Sequence, residues 1–65
     1  MNINLNGKNI KSQSATLIAF IREQGFETAA LVAEVNFKLI RQQEWESFEI
    51  KNGDTIELLT FVGGG

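Results

Sequence analysis

The residues of greatest chemical interest are the three consecutive glycines at the end of the sequence, Gly63, Gly64 and Gly65. Glycine has no side chain and adopts almost any backbone conformation, so such a tail can enter a channel too narrow for a Cβ atom. An extended residue spans about 3.3–3.6 Å, so these positions carry a terminal carboxylate about 10 Å beyond Val62. The sequence therefore predicts a tail that delivers its carboxylate into another protein's active site.

Activation followed by acyl transfer is the chemistry open to this carboxylate. A terminal carboxyl group is ionised at neutral pH and resists attack by nucleophiles. Attack of its oxygen on the α-phosphate of ATP gives an acyl-adenylate, which a persulfide or a similar donor can convert to a thiocarboxylate. The glycines of this sequence form neither a P-loop nor a dinucleotide-binding fingerprint. We therefore expect no cofactor on this chain and ATP on an activating partner.

The composition excludes most other kinds of catalysis. Among the 65 residues there is no cysteine and no histidine, which excludes disulfides, thiolate nucleophiles, the usual zinc sites and imidazole acid–base catalysis. A chain this short buries only about 60% of the surface that its unfolded form exposes, which leaves little room for an enclosed active site. We expect a carrier or a binding protein and not an enzyme.

Charge and hydrophobicity bear on partners and location. Six Lys and Arg against eight Asp and Glu give a net charge of -2, which offers phosphate backbones and anionic lipids no attraction. The sequence shows no basic segment followed by a long apolar run and no stretch near 20 apolar residues. We expect no nucleic acid partner, no membrane association and a cytoplasmic location.

The start of the chain predicts a β-hairpin. Polar and apolar residues alternate from Asn2 to Asn6, which is the period of a half-buried strand. Asn6-Gly7 tolerates the positive φ angles of a two-residue turn, and Lys8 to Lys11 then form the second strand.

Apolar residues at helical spacing follow the hairpin and predict one helix. They run from Leu17 to Ile21, and Ser12 or Ser14 is the expected N-cap. Gly25 is the expected end of this helix.

The rest of the chain reads as strands and turns. Ala29 to Asn36 predicts a strand, Lys38 to Ser47 a short strand and an irregular turn, and Thr55 to Val62 the last strand. The order β, β, α, β, β, β predicts an α+β fold in which a mixed sheet of about five strands packs on one helix, with the last strand beside the first. This is the β-grasp, or ubiquitin-like, roll. We expect this domain over residues 1–62 and a flexible tail over 63–65.

Leu59 and Phe61 are the candidates for a docking surface. They have the same parity along the last strand as Glu57, so they face away from the core and, with Val62, lie beside the tail. Exposed apolar side chains of this kind are typical of protein interfaces. Two alternatives remain at this point: another segment covers these residues, or the glycine run is only a frayed terminus.

The other conspicuous residues favour structural roles. Trp45, the only tryptophan, is interpreted as an edge of the core and not as a partner anchor. Glu44, Glu46 and Glu49 lack the additional ligands of a metal site and are interpreted as a solvated face.

Several segments are shared with a known family. They are Val35-Asn36, Leu39-Ile40, Glu44-Trp45, Asn52-Gly53-Asp54 and Thr60-Phe61-Val62-Gly63-Gly64-Gly65. In these segments the chain resembles the ThiS family of sulfur carriers, whose members typically end in Gly-Gly. The N-terminal half agrees mainly in layout, and Arg41-Gln42 stands where the family often has Pro-Arg.

The resemblance implies a function and a set of partners. A ThiF-type E1-like enzyme would adenylate Gly65, a sulfur donor protein would supply the sulfur of a thiocarboxylate, and the thiazole synthase ThiG would receive it for the thiazole moiety of thiamine. Two alternatives stay open: the small subunit of molybdopterin synthase, which has a similar fold and tail, and a noncatalytic ubiquitin-like interaction module.

Overall fold

The structure is a computed structural model that describes residues 1–61. In chain order the elements of this part are β1 (Asn2–Leu5), β2 (Lys8–Lys11), α1 (Leu17–Glu23), β3 (Leu31–Val35), β4 (Lys38–Ile40), a 3-10 helix (Gln42–Glu44) and β5 (Thr55–Thr60). The five strands form one sheet in the order β2-β1-β5-β3-β4. Strand β5 is parallel to β1, and the other neighbouring pairs are antiparallel. The predicted mixed sheet on one helix is confirmed.

The N-terminal hairpin forms as the alternation predicts. Asn6 and Gly7 both have positive φ angles, 49° and 87°, which is the geometry of a type I′ turn. Ile3 and Ile10 lie opposite each other across the two strands. The side chain of Ile3 is fully buried, and Ile10 packs against the core.

Helix α1 begins later than the sequence predicts. Its N-cap is Thr16, whose hydroxyl accepts a hydrogen bond from the Ala19 N–H at 3.3 Å, so the prediction of Ser12 or Ser14 was wrong. The Ser12 side chain is buried and donates to Glu23 at 2.6 Å, which ties the preceding loop to the last turn of the helix. The predicted end is confirmed at Gly25, which has a φ of 80° and donates to the Arg22 carbonyl.

The second hairpin joins β3 to β4 through a turn that the local sequence does not predict. Strand β3 is shorter than predicted, and its alternate residues Leu31, Ala33 and Val35 are buried. Asn36 and Phe37 follow with φ angles of 51° and 69°. Positive φ is common for asparagine but rare for a bulky residue such as phenylalanine. The Phe37 side chain is also 78% exposed, so packing does little to offset the cost of this backbone conformation.

The core lies between the sheet and α1. It holds the side chains Ile3, Leu5, Leu17, Phe20, Ile21, Leu31, Ala33, Val35, Ile40, Trp45, Ile50, Ile56 and Leu58. Burial of Trp45 confirms its structural interpretation, and its Nε1–H donates to the Ile40 carbonyl at 2.9 Å. Within residues 1–61 no helix is long and apolar enough to cross a membrane.

Candidate functional site

The position of β5 determines where the C-terminal end of the chain leaves the sheet. It lies at the centre of the sheet, beside β1 on one side and β3 on the other. On the β3 side, Leu31 is opposite Thr60, and the Phe61 N–H donates to the Ala30 carbonyl at 2.7 Å. Strand β5 ends at Thr60 and not at Val62 as predicted. The exit of the chain is fixed by backbone hydrogen bonds as far as Phe61.

On the β1 side, the side chain of Asn6 continues the ladder after the strand itself has ended. The Asn6 N–H donates to the Ile56 carbonyl at 3.0 Å, as a further strand residue would. Its side-chain oxygen then accepts from the Leu58 N–H at 2.9 Å, and its Nδ2 donates to the Leu58 carbonyl at 3.1 Å. One side chain therefore satisfies both backbone groups of Leu58 where β1 turns away at Gly7.

Leu59 and Phe61 are exposed on the outer face of the sheet, as their parity predicts. Their exposed fractions are 51% and 67%, so no segment within residues 1–61 covers them. Val32, half-buried, lies opposite Leu59 on β3, and Leu39 on β4 is 64% exposed. We call Val32, Leu39, Leu59 and Phe61 the apolar patch. Val32 joins it by pairing with Leu59, and Leu39 lies on the same outer face opposite Glu34. The sequence revealed neither pairing.

Two carboxylates border the apolar patch. Glu34 of β3 lies directly opposite Glu57 of β5, and Leu39 of β4 lies on the other side of Glu34. Glu34 and Glu57 are both half-buried. Each is two residues from a patch residue of its own strand, Val32 or Leu59, so each shares the outer face with it.

The predicted chemical group lies outside the described residues. Val62, Gly63, Gly64 and Gly65 follow the last described position, so their assigned roles stay predictions. The glycines inside residues 1–61, Gly7, Gly25 and Gly53, all have positive φ and serve turns.

The remaining candidates are solvent-facing. Glu44, Glu46 and Glu49 are exposed, and residues 1–61 contain no group of three His, Cys, Asp or Glu side chains placed to hold a metal ion. An open cavity of about 560 Å³ beside Ser14 and Ile50 shares no residue with the apolar patch.

These features define the class of protein. A single helix packed on a mixed sheet, with the last strand central and leading to a glycine tail, is the architecture of a ubiquitin-like β-grasp domain. The family model described as "ThiS family" matches residues 1–65. The chain belongs to the ThiS family.

Comparison with individual proteins agrees with this assignment. The crystal structure of the thiamine biosynthesis protein ThiS from Geobacter metallireducens superposes with a TM-score of 0.85 at 26% identity, and the match covers 100% of both chains. The sulfur carrier protein ThiS of Bacillus subtilis is 29% identical over 97% of this chain and 98% of its own length.

The coverage of other relatives is smaller. Thiazole synthase of Paramagnetospirillum magneticum is 27% identical over 66 residues, which is 100% of this chain and 20% of that protein. A further curated relative is 42% identical over 40 residues, and the match spans 55% of its length. Each of these two matches therefore covers less than two thirds of the relative's own length.

Proposed function

We propose that this chain is a sulfur carrier for the biosynthesis of thiamine and that it acts as a protein cosubstrate and not as an enzyme. Membership of the ThiS family and similarity to the Bacillus subtilis sulfur carrier support this function. The structural observation that carries the proposal is the course of β5. One central strand bears the exposed Leu59, is followed at once by the exposed Phe61, and precedes the three glycines in the sequence by only a few residues.

The first proposed step is activation of the Gly65 carboxylate by a partner enzyme of the ThiF type. A carboxylate oxygen attacks the α-phosphate of ATP, the new P–O bond makes a mixed carboxylic–phosphoric anhydride, and pyrophosphate leaves. Because the leaving group of the resulting acyl-adenylate is AMP, the carbonyl carbon becomes open to nucleophiles. Gly63 and Gly64 give the terminus access to the enzyme, since neither has a side chain that a narrow channel would reject.

The second proposed step installs the sulfur. The terminal sulfur of a persulfide on a donor protein attacks the Gly65 carbonyl carbon, and AMP leaves. The acyl disulfide so formed is cleaved by a second thiol, which becomes half of a new disulfide and leaves the thiocarboxylate on Gly65. The sequence has no cysteine, so both sulfur nucleophiles belong to partner proteins.

The acceptor of the sulfur in this proposal is the thiazole synthase ThiG. The similarity of the whole chain to a segment of a thiazole synthase supports a connection between the two proteins. Because the activation step consumes ATP, we assign this sequence of reactions to the cytoplasm.

The apolar patch is the proposed docking surface for the activating enzyme. Leu59 and Phe61 are exposed immediately before the tail, and Val62 extends the same strand in sequence. A partner that covers these side chains gains hydrophobic burial, about 25 cal/mol for each Å² of apolar surface removed from water. The same contact holds the tail within reach of the enzyme's ATP site.

Intact-mass measurement tests the function. The purified chain is incubated with the activating enzyme, ATP and a persulfide donor, and we expect a mass gain that matches replacement of one carboxylate oxygen by sulfur. Two control chains, one lacking Gly65 and one ending in a C-terminal amide, should show no gain. If the unmodified chain binds the enzyme as the amide does but never gains mass, the chain is an interaction module and the proposal is wrong.

A further inference from the structure

The pairing of Glu34 with Glu57 is a costly feature that the fold does not require. Residues directly opposite each other in an antiparallel pair have Cβ atoms about 4.5–5.5 Å apart, and like charges in such a pair are destabilising. Glu34 and Glu57 are opposite each other. Both are half-buried, which lessens the screening of their repulsion by water. A glutamine or threonine at either position would remove this cost and keep the strand.

Within residues 1–61 neither carboxylate accepts a compensating hydrogen bond. In residues 1–61 the carboxylates that accept hydrogen bonds are those of Glu23 and Asp54. Three side chains beside the Glu34–Glu57 pair on the outer face are apolar: Leu39 across from Glu34, Val32 along β3 and Leu59 along β5. On the opposite side of Glu57 along β5 the neighbour is the polar Thr55. The pair therefore presents two negative charges at the edge of an apolar surface.

We propose that Glu34 and Glu57 together bind an arginine or lysine side chain of the activating enzyme when that enzyme covers the apolar patch. This inference rests on the proposed function, and it adds the chemistry of the partner surface: an apolar centre with a cation at one side. Two carboxylates on neighbouring strands suit a guanidinium group in particular, because its five N–H donors form a planar fork. Covering the patch removes water and strengthens the attraction.

The acidic pair also argues against other occupants of this surface. A second copy of the chain docked by the same face would bring two further carboxylates toward the first two, since a two-fold interface uses one patch twice. Phosphate groups of nucleic acids or lipids would be repelled. A protein with a cationic residue is the partner that both relieves the repulsion and uses the apolar surface.

Removing either carboxylate should have opposite effects on stability and on association. Glu34→Gln and Glu57→Gln each remove one half of the repulsion, so both variants should be at least as stable as the parent chain in urea denaturation. Both should bind the activating enzyme more weakly, because one of the two charges that meet the cation is gone. A residue with only a structural role would not move the two properties in opposite directions.

The experiment measures the KM of the chain in the adenylation reaction and, separately, its affinity for the enzyme by calorimetry without ATP. At low salt we expect each single variant to raise KM about fivefold and the double variant about tenfold or more, with kcat unchanged. The differences should shrink at 0.5 M salt, about the range where screening becomes short. Glu46→Gln is the matched control, since Glu46 is exposed and follows the 3-10 helix.

The outcomes separate this inference from the function on which it rests. If the double variant keeps the KM and the affinity of the parent chain within about twofold at low salt, the acidic pair does not contact a cation and the inference is overturned. If the parent chain is never adenylated, the proposed function fails, and the calorimetric comparison of the same variants still decides whether the pair recognises the enzyme.

Discussion

Replacing Asn6 by glycine tests how the end of β5 is held. The Asn6 side chain makes two hydrogen bonds to the backbone of Leu58, at 2.9 and 3.1 Å, and both are partly buried. Glycine accepts the φ of 49° that Asn6 adopts but has no side chain to make either bond. Each such bond contributes about 0.5–1.5 kcal/mol net, so Asn6→Gly should lower the free energy of unfolding by about 1–3 kcal/mol.

Urea denaturation followed by circular dichroism gives this difference directly. In a domain of this size each kcal/mol lowers Tm by about 4–8 °C, so the loss should be plain in thermal unfolding as well. Hydrogen exchange localises the effect, because the Leu58 amide should exchange faster in the variant than its lower global stability alone explains. Asn6→Asp is the second variant: it keeps the acceptor for the Leu58 N–H but places an oxygen against the Leu58 carbonyl.

Two results together would contradict this role of Asn6. If Asn6→Gly unfolds within about 0.5 kcal/mol of the parent chain, which is the range of neutral surface substitutions, and the Leu58 amide keeps its exchange rate, then the side chain does not hold the strand.

Three further changes test other parts of the structure. Phe37→Gly should raise stability by about 1 kcal/mol in urea denaturation, because it removes a bulky residue from positive φ and creates the Asn-Gly pair that type I′ turns prefer; a loss of stability would contradict the turn geometry. Trp45→Phe should cost about 1–3 kcal/mol, since the buried Ile40 carbonyl loses its donor, and thermal unfolding that matches the parent chain would count against that bond. Leu59→Ser should leave stability nearly unchanged, because the side chain is half exposed, while it raises KM for adenylation severalfold; an unaltered KM would remove Leu59 from the docking surface.

The features that the sequence predicts correctly depend on neighbours along the chain. Asn6-Gly7 forms the expected turn because both residues tolerate positive φ without help from the rest of the molecule. Gly25 ends α1 for the same reason. The outward direction of Leu59 and Phe61 follows from the two-residue period of a strand once Leu58 is buried.

The errors arise where tertiary contacts decide between equivalent local choices. Ser12, Ser14 and Thr16 all have side chains that can cap a helix. Thr16 is selected because it pairs with Glu49 in an isolated bridge and is held extended just before α1, whereas the Ser12 hydroxyl bonds Glu23. Neither contact can be inferred from the sequence of the segment that precedes α1.

The turn at Asn36-Phe37 has a similar origin. Phenylalanine is a poor residue for positive φ, so the local sequence gives no turn signal. Asn36 is nevertheless fixed by its side chain, which accepts from the Thr55 N–H and donates to Asp54, both at 3.0 Å. These partners lie almost 20 positions away in the sequence. The contacts of Asn36 hold the turn, and Phe37 is thereby kept at a positive φ angle.

The acidic border of the patch could not be predicted from the sequence either, because it depends on which residues of two strands lie opposite each other. Parity along a strand assigns Glu34 and Glu57 to an outer face, but only the register of β3 on β5 places them opposite each other. That register also places Val32 beside Leu59. The patch residues Val32 and Leu59 and the exit of the chain after β5 therefore belong to one ladder and cannot shift independently. If the proposed function holds, changes in the patch or its acidic border should alter KM and changes in the glycines should alter kcat, because the proposal assigns recognition to the folded body and acyl chemistry to the terminus.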